Sequence, residues 1–93
     1  MSPKQRLAVE ALAEVILSHG RGAPLEYRLP KGIKVVEAES WRNELLRRRV
    51  IDPEAKNPRA RFCELQTGLA ARRVIGVRDD VVWLARLQQE NKP

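Results

Sequence analysis

Arginine side chains are concentrated between residues 45 and 62, where the sequence is LLRRRVIDPEAKNPRARF, and two more follow shortly after it. A guanidinium group is always charged and matches a phosphate through two parallel hydrogen bonds, so such a cluster is suited to binding a phosphate backbone. Polar side chains between the arginines would then be placed to contact base edges. The candidate contacts are Arg47, Arg48, Arg49, Arg59, Arg61, Glu64, Thr67, Arg72, Arg73 and Arg78.

These arginines also have an ordinary structural explanation. Three of them end a helical pattern at residues 47–49, where the helix dipole favours a cation by about 0.3–1 kcal/mol. Glu44 lies four residues before Arg48, a spacing typical of a stabilising pair on one helix face. Glu64 argues against a surface made only for phosphate, because two negative groups repel each other. Both interpretations stay open for any single arginine, while the group as a whole favours nucleic acid.

The charge balance points in the same direction. The 93 residues carry a formal charge of +6, from eighteen Lys and Arg against twelve Asp and Glu. Residues 1–46 hold seven basic and six acidic side chains, whereas residues 47–93 hold eleven and six. A basic half of this kind predicts an acidic partner, and nucleic acid is the commonest one.

The sequence gives little support to other chemistries. One His and one Cys provide no nucleophile–base pair and no multi-cysteine site, so we expect no enzyme, bound metal or cofactor. His19 fits the last turn of a helix, and the acidic pair Asp79 and Asp80 fits a hairpin turn. No apolar run approaches the roughly 20 residues that span a bilayer, and no signal peptide is recognisable. We therefore expect a cytoplasmic protein without membrane association.

The elements that would position the candidate side chains begin with a helix. Ser2 suits the N-cap, Pro3 the first helical position and Gln5 the end of a capping box, which together predict helix 1 over residues 3–19. Residues 20–36 are predicted to be a loop, with a short strand at 25–29 or 33–36 left open. The predicted apolar face of helix 1 consists of Leu7, Ala11, Leu12, Val15 and Ile16.

Two further helices follow the loop. Ala38, Trp41 and Leu45 share one helical face and predict helix 2 over residues 37–49. Asn57 as N-cap and Pro58 at the first position predict helix 3 over residues 58–73. The buried stripe of helix 3 would be Phe62, Leu65 and Leu69, with Ala60, Glu64, Thr67 and Ala71 facing outward.

The apolar period then changes from 3.6 residues to two, which predicts a β-hairpin over residues 74–85 and a frayed tail at 86–93. Three helices followed by a hairpin are the layout of a small α+β winged helix-turn-helix, here a single domain of 93 residues. In that layout helix 3 enters the major groove and the hairpin, or wing, lies over an adjacent backbone or minor groove. The predicted core is Leu12, Ile16, Trp41, Leu45, Phe62, Leu65, Leu69, Ile75 and Trp83.

The run WRNELLRRRVID, followed by NPRARFCELQTGLAARRVIGVRDDVVWLA, resembles the winged-helix segment near the C-terminus of phage and plasmid RepA-like AAA-type replication ATPases and primase-helicases. The resemblance covers residues 38–85 and implies a DNA-associated function. The chain carries no G-x-x-x-x-G-K-[ST] loop, so the resemblance implies no helicase activity. The matching positions are Trp41, Arg42, Phe62, Leu69, Arg73, Ile75, Gly76, Trp83 and Leu84.

The sequence thus predicts a protein that binds double-stranded DNA, in replication, partition or transcription control of a phage, plasmid or bacterium. The alternative is a protein-interaction module whose third helix or wing packs against a replication or regulatory protein. Binding of single-stranded nucleic acid ranks last, because it needs exposed aromatic side chains. No coiled-coil heptads are present, so we expect a monomer or a weak homodimer.

Overall fold

The computed structural model describes residues 1–85, and the predicted tail at 86–93 lies outside the described residues. Four strands form one antiparallel sheet in the order β1-β2-β4-β3, and three helices pack on one of its faces. This is an α+β fold, which confirms the predicted fold class, and its arrangement is compatible with a small winged helix-turn-helix. The elements are α1 (Pro3–His19), β1 (Arg21–Gly22), a 3₁₀ turn (Leu25–Tyr27), β2 (Lys34–Glu37), α2 (Ala38–Arg47), α3 (Pro58–Ala71), β3 (Ile75–Arg78) and β4 (Val81–Leu84).

The N-termini of α1 and α3 are capped by the residues that the sequence indicated. The Ser2 hydroxyl accepts the Gln5 N–H at 3.1 Å, and the Gln5 side chain accepts the Ser2 N–H at 3.0 Å. The Asn57 side chain accepts the Ala60 N–H at 3.2 Å. Both helices therefore begin where predicted, because local sequence supplies the missing hydrogen-bond acceptors.

Helix α2 has no side-chain cap of its own. The N–H of Ala38 instead donates to the carbonyl of Asp80, at 2.8 Å, in the turn of the β3–β4 hairpin. That turn has two residues, Asp79 and Asp80, with φ of 51° and 65°, the left-handed geometry that a type I′ hairpin turn requires. The wing is thus joined by its backbone to the start of α2.

The main core lies between the helices and the inner face of the sheet. Trp41 at its centre is fully buried, donates its indole N–H to the Ala8 carbonyl at 3.0 Å and packs edge-on against Phe62. The prediction that Leu7 belongs to the apolar face of helix 1 was wrong, because Leu7 is 50% exposed and Ala8 takes the buried position. The large indole needs a small neighbour there, and a small residue gives a weak signal in an apolar pattern.

A second apolar cluster covers the outer face of the sheet. The prediction that Trp83 joins the helical core was wrong, since Trp83 packs in this cluster with residues 23–33 folded over it. Gly76 lies directly beneath the indole, and a Cβ at that position would overlap the Trp83 ring. The cluster consists of Ile33, Val35, Val81 and Trp83, with Ala23, Tyr27 and Leu29 partly buried against it.

The sequence left two positions open for a strand in residues 20–36, at 25–29 or at 33–36, and the structure has the second. Strand β2 corresponds to the second alternative, and its Val35 and Val36 pair with Trp83 and Val82 of β4. The first alternative was wrong, because Leu25–Tyr27 forms a 3₁₀ turn instead of a strand. The turn ends at Arg28 in the left-handed region, φ 54°, which redirects the chain across the sheet.

Candidate nucleic-acid interface

Helix α3 presents a face of small side chains to solvent. Phe62, Leu65 and Leu69 are buried as predicted, so the opposite side of the helix points away from the core. That outward side carries Glu64, Thr67 and Ala71, which are exposed, and Ala60, which is half-buried. Small side chains allow another surface to approach the helix backbone closely, as the floor of a DNA groove would.

Arginines frame this face at both ends. Residues 58–73 contain four arginines and one carboxylate, a net charge of +3, and all four arginines are exposed. The carboxylate, Glu64, lies 3.4 Å from a guanidinium nitrogen of Arg61. The one acidic group on the face is therefore partly neutralised by its neighbour. The four arginines are Arg59, Arg61, Arg72 and Arg73.

The C-terminus of α3 holds one of these arginines in an unusual backbone conformation. Arg73 has φ 63°, the Arg73 N–H donates to Ala70 at 2.9 Å, and the Val74 N–H donates to Leu69 at 3.1 Å. These two bonds define a Schellman motif, whose left-handed position is usually Gly. A side chain there costs of order 1 kcal/mol, so the helix end is locally strained.

Helix α2 ends in the same way. Arg49 has φ 61°, and the Arg49 and Val50 N–H groups donate to the carbonyls of Leu46 and Leu45 at 3.1 and 2.9 Å. The two ends share the pattern Leu-x-x-Arg-Arg-Val-Ile, at residues 45–51 and 69–75. Sequence reasoning missed this short repeat, although the repeated letters were a sufficient signal for it.

Arg47 and Arg48 do not lie with α3. Both donate to the carboxylate of Glu44, at 2.5 and 2.6 Å, and they border a depression formed with the C-terminal half of α1. The hydrogen bonds from Arg47, then those from Arg48, hold the pKa of Glu44 below its ordinary value. The single carboxylate of Glu44 therefore neutralises about half of the charge of these two arginines.

Arg78 is also held away from α3. Its guanidinium lies over the Tyr27 ring, 4.6 Å from the centroid, and donates to the Glu26 carbonyl at 3.4 Å. Side chains alternate along a strand, so Arg78 shares the outer face of β3 with Gly76. On the inner face of β3, Ile75 is buried in the core and Val77 lies beside α3.

One basic residue outside the predicted set borders the interface. Arg42 of α2 lies 4.0 Å from Glu39 and lines a cleft between α2, α3 and the wing, together with Arg59. Helical spacing places Arg42 next to the buried Trp41, on the α3 side of α2. That position was a usable signal, because Arg42 and Arg47 point in different directions on the same helix.

Other types of site receive no support from the described residues. Across residues 1–85, no three His, Cys, Asp or Glu side chains are grouped as a metal site would need. No helix in that part of the chain is long and apolar enough to span a bilayer.

Comparison with protein-family models, curated proteins and solved structures gave no match to the chain. The resemblance to RepA-like replication ATPases therefore stays a prediction.

Proposed function

We propose that the protein binds double-stranded DNA, with α3 in the major groove and its arginines on the phosphates. The observation that carries this proposal is the net charge of +3 over residues 58–73, arranged around an outward face of mostly small side chains on α3. Phosphates dominate the affinity of DNA-binding proteins, and a helix of small outward residues can approach the base edges. The cellular setting that we propose is replication, partition or transcription control in a phage, plasmid or bacterium.

The spacing of the arginines supports this arrangement. Arg61 and Arg72 are eleven residues apart on α3, or about 16 Å along a helix that rises 1.5 Å per residue. The major groove is about 12 Å wide, so arginines at the two ends can reach phosphates on opposite strands. Thr67 and Glu64 lie between them, where they would contact base edges. Arg61 would leave Glu64 for a phosphate or a guanine when DNA binds.

The remaining candidate arginines take a secondary part in the proposal. Arg47 and Arg48 are paired with Glu44, and Arg78 lies on the outer face of the sheet. They raise the positive potential of the molecule and so the rate of encounter with DNA, which is a long-range effect. They do not share the surface of α3.

Fluorescence anisotropy of a labelled, mixed-sequence duplex at several salt concentrations tests the proposal. The logarithm of the binding constant should fall linearly with the logarithm of salt, by about 0.9 per phosphate neutralised. The double variant Arg59→Gln with Arg61→Gln should weaken binding and reduce that slope by about 2. The matched control, Arg47→Gln with Arg48→Gln, removes the same charge and should change the slope much less.

Two results would refute the DNA proposal. A folded protein that binds no duplex even at low salt has no phosphate-binding surface. Equal losses in the two double variants would show that total charge matters and that α3 has no special part. Either result would favour the protein-interaction alternative, since packing of small and apolar side chains depends only weakly on salt.

A further inference from the structure

Strand β3 is an edge of the sheet with hydrogen-bonding groups directed away from β4. In a hairpin closed by a two-residue turn, the residues next to the turn form a hydrogen-bonded pair, here Arg78 with Val81. Gly76 therefore also bonds to β4, whereas Ile75 and Val77 direct their N–H and C=O groups outward. Within residues 1–85 no strand pairs with this edge. An edge of this kind is a template for another strand.

The two ends of this edge carry charges of opposite sign. Arg72 and Arg73 precede β3, are exposed and lie beyond ion-pair distance of every carboxylate in residues 1–85. Asp79 and Asp80 follow β3 and are exposed too. Arg78 leaves this second end with one negative charge, since it forms an ion pair with Asp79 at 3.8 Å. A uniformly acidic strand would therefore be repelled at the hairpin end, and a uniformly basic strand at the other end.

We propose that β3 pairs antiparallel with β3 of a second copy of the chain. An antiparallel strand of the same sequence reverses the order of the charges, so its carboxylates meet the arginines of the first copy. A two-fold symmetric interface repeats each contact, so this match is made at both ends of the strand. The two four-stranded sheets would then be continuous.

The charges also select the register of this pairing. The outward groups of Ile75 in one copy can exchange both hydrogen bonds with those of Val77 in the other, and the symmetry repeats this pair. Gly76 then lies opposite Gly76 on the two-fold axis. In this register each arginine lies opposite a carboxylate of the second copy, Arg73 opposite Asp79 and Arg72 opposite Asp80.

The two neighbouring symmetric registers match the charges less well. If Ile75 lay opposite Ile75, Arg72 would lie opposite Arg78 of the second copy, and like charges directly opposite are destabilising. If Val77 lay opposite Val77, Arg73 would lie opposite Val81 and would gain no carboxylate. The pairing is therefore expected in a single register.

The same register covers an exposed apolar side chain. Val77 is 37% exposed and forms one wall of a groove of about 480 Å³ beside α3. In the proposed pair, Val77 lies beside Ile75 of the second copy on the inner face of the joined sheet. The other wall of the groove consists of small side chains, which allow close approach of the second copy: Thr67, Ala70 and Ala71.

The net charge of +6 on each copy opposes association, so the dimer should be weak. At physiological salt this repulsion is screened beyond about 8 Å, whereas the charges paired across the edge are in contact. Arg72 and Arg73 also belong to the proposed DNA surface, so DNA and the second copy should compete for them. The pairing itself uses groups of the free protein and does not depend on DNA binding by α3.

Exchange of the charges between the two ends tests the pairing by sedimentation equilibrium. Arg72→Asp with Arg73→Asp leaves carboxylates at both ends of the edge, and Asp79→Lys with Asp80→Lys leaves cations at both ends. Each double variant should be monomeric at millimolar concentrations, where the unaltered protein forms dimers. An equimolar mixture of the two variants should form dimers again, because every cation then lies opposite a carboxylate. Recovery on mixing also shows that both variants are folded.

Total charge makes the opposite prediction for the first variant. Two Arg→Asp substitutions lower the net charge by four, from +6 to +2, and so weaken the general repulsion between copies. If only total charge mattered, this variant would associate more strongly than the unaltered protein. The proposed pairing requires that it associate less.

Amide hydrogen exchange followed by NMR tests the backbone pairing. As the protein concentration rises and the dimer predominates, exchange at Ile75 and Val77 should slow by roughly tenfold, while exchange at Gly76 and Arg78 should change little. Val77→Pro removes an outward N–H without removing a bond to β4, and should weaken the dimer by roughly tenfold. Val77→Thr is the matched control, because it keeps the N–H and the branched shape, and it should retain most of the association.

Several outcomes would overturn the inference. They are a protein that stays monomeric at millimolar concentration, double variants that associate like the unaltered protein, a mixture that stays monomeric, and protection that does not include Ile75 and Val77. Protection of these two amides in the monomeric protein by the peptide acetyl-Glu-Val-Asp-Val-Glu-Val-Asp-amide would assign the edge to another protein. The duplex titration uses dilute, monomeric protein, and Val77→Pro should leave its salt slope unchanged. A failure of the DNA proposal and a failure of the pairing inference therefore give different sets of results.

Discussion

The C-terminal ends of α2 and α3 have the same sequence pattern and the same backbone geometry, but opposite electrostatic surroundings. Each end places an arginine in the left-handed region, at Arg49 and Arg73, and each then buries an isoleucine. At the position directly before the shared pattern, α2 has Glu44 and α3 has Gly68. The carboxylate of Glu44 binds Arg47 and Arg48, whereas no carboxylate of residues 1–85 lies within ion-pair distance of Arg72 or Arg73.

The difference shows how one local structure can serve two purposes. The helix end itself is structural, since it turns the chain and returns an isoleucine to the core. The availability of its arginines is decided four residues earlier, by the presence or absence of a carboxylate. An arginine-rich helix end is therefore a useful indication of a binding surface only together with the residue one turn before it.

The largest effect should come from the buried isoleucines. Ile51 and Ile75 are 1% and 3% exposed, and truncation of a buried Ile to Ala costs about 2–5 kcal/mol. Ile51→Ala and Ile75→Ala should therefore destabilise the protein by similar amounts in urea unfolding. Ile51→Val and Ile75→Val, which keep the branched shape, should each cost about 0.5–1.5 kcal/mol. A large difference between the two sites would break the structural equivalence of the helix ends.

Gly68→Glu places a carboxylate in α3 at the position that Glu44 occupies in α2. The new side chain would lie four residues before Arg72 and pair with it, as Glu44 does with Arg48. Under the DNA proposal, duplex affinity should fall by roughly tenfold, the range expected for losing one charged contact. Gly68→Gln is the matched control, because it adds a similar side chain without charge and should leave affinity much closer to the original. Equal effects of Glu and Gln would show that shape, and not charge, separates the two ends.

Replacing the left-handed arginines should raise stability. Arg49→Gly and Arg73→Gly remove a side chain from a conformation that disfavours it, and each should gain up to about 1 kcal/mol in thermal or urea unfolding. Arg49→Ala and Arg73→Ala keep the strain and remove the charge, so they should not gain. Higher stability of both Gly variants, with duplex binding lost only in Arg73→Gly, would show that the two helix ends share a structure and differ in their part in binding. Stabilisation by the Ala variants would contradict the strain argument.

The smallest effect concerns Glu44 and pH. Its pKa is lowered by the hydrogen bonds from Arg47 and Arg48, so its ionised form stabilises the folded protein. That stabilisation is complete above the ordinary pKa of 4.5 and disappears as the pH falls through the lower pKa of the folded state. Glu44→Gln should thus lower the melting temperature at neutral pH, and the difference from the unaltered protein should shrink in acid. A difference independent of pH would mean that packing, and not charge, is what Glu44 provides.

The sequence predicted those parts of the fold that depend on neighbouring residues. Ser2 and Asn57 located two helix starts because a cap is a local hydrogen bond. The alternation of Val81, Val82 and Trp83 predicted correctly which side chains share a strand face. It did not predict that residues 23–33 would cover the outer face, because this depends on contacts between distant segments. Trp83 was therefore placed in the wrong cluster.

The candidate interface was predictable to a similar extent. Helical spacing placed Arg59, Arg61 and Thr67 around the outward face of α3, where the structure has them. The spacing of Glu44 and Arg48 already indicated a pair that Arg72 lacks, because Gly68 stands four residues before Arg72. The sequence did not show that Arg47 and Arg48 border α1 and lie away from α3, because this follows from the three-dimensional arrangement.

The bond from Ala38 to Asp80 should make the start of α2 depend on the hairpin during folding. Helices α1 and α3 carry their own N-caps and can begin to form in an otherwise unfolded chain. The first turn of α2 is completed only after the hairpin has closed and docked, across a separation of 42 residues. Closing so long a loop is entropically costly, so this step should come late and limit the folding rate. Pulsed hydrogen exchange should then find the Ala38 amide among the last to be protected, and early protection there would contradict this order.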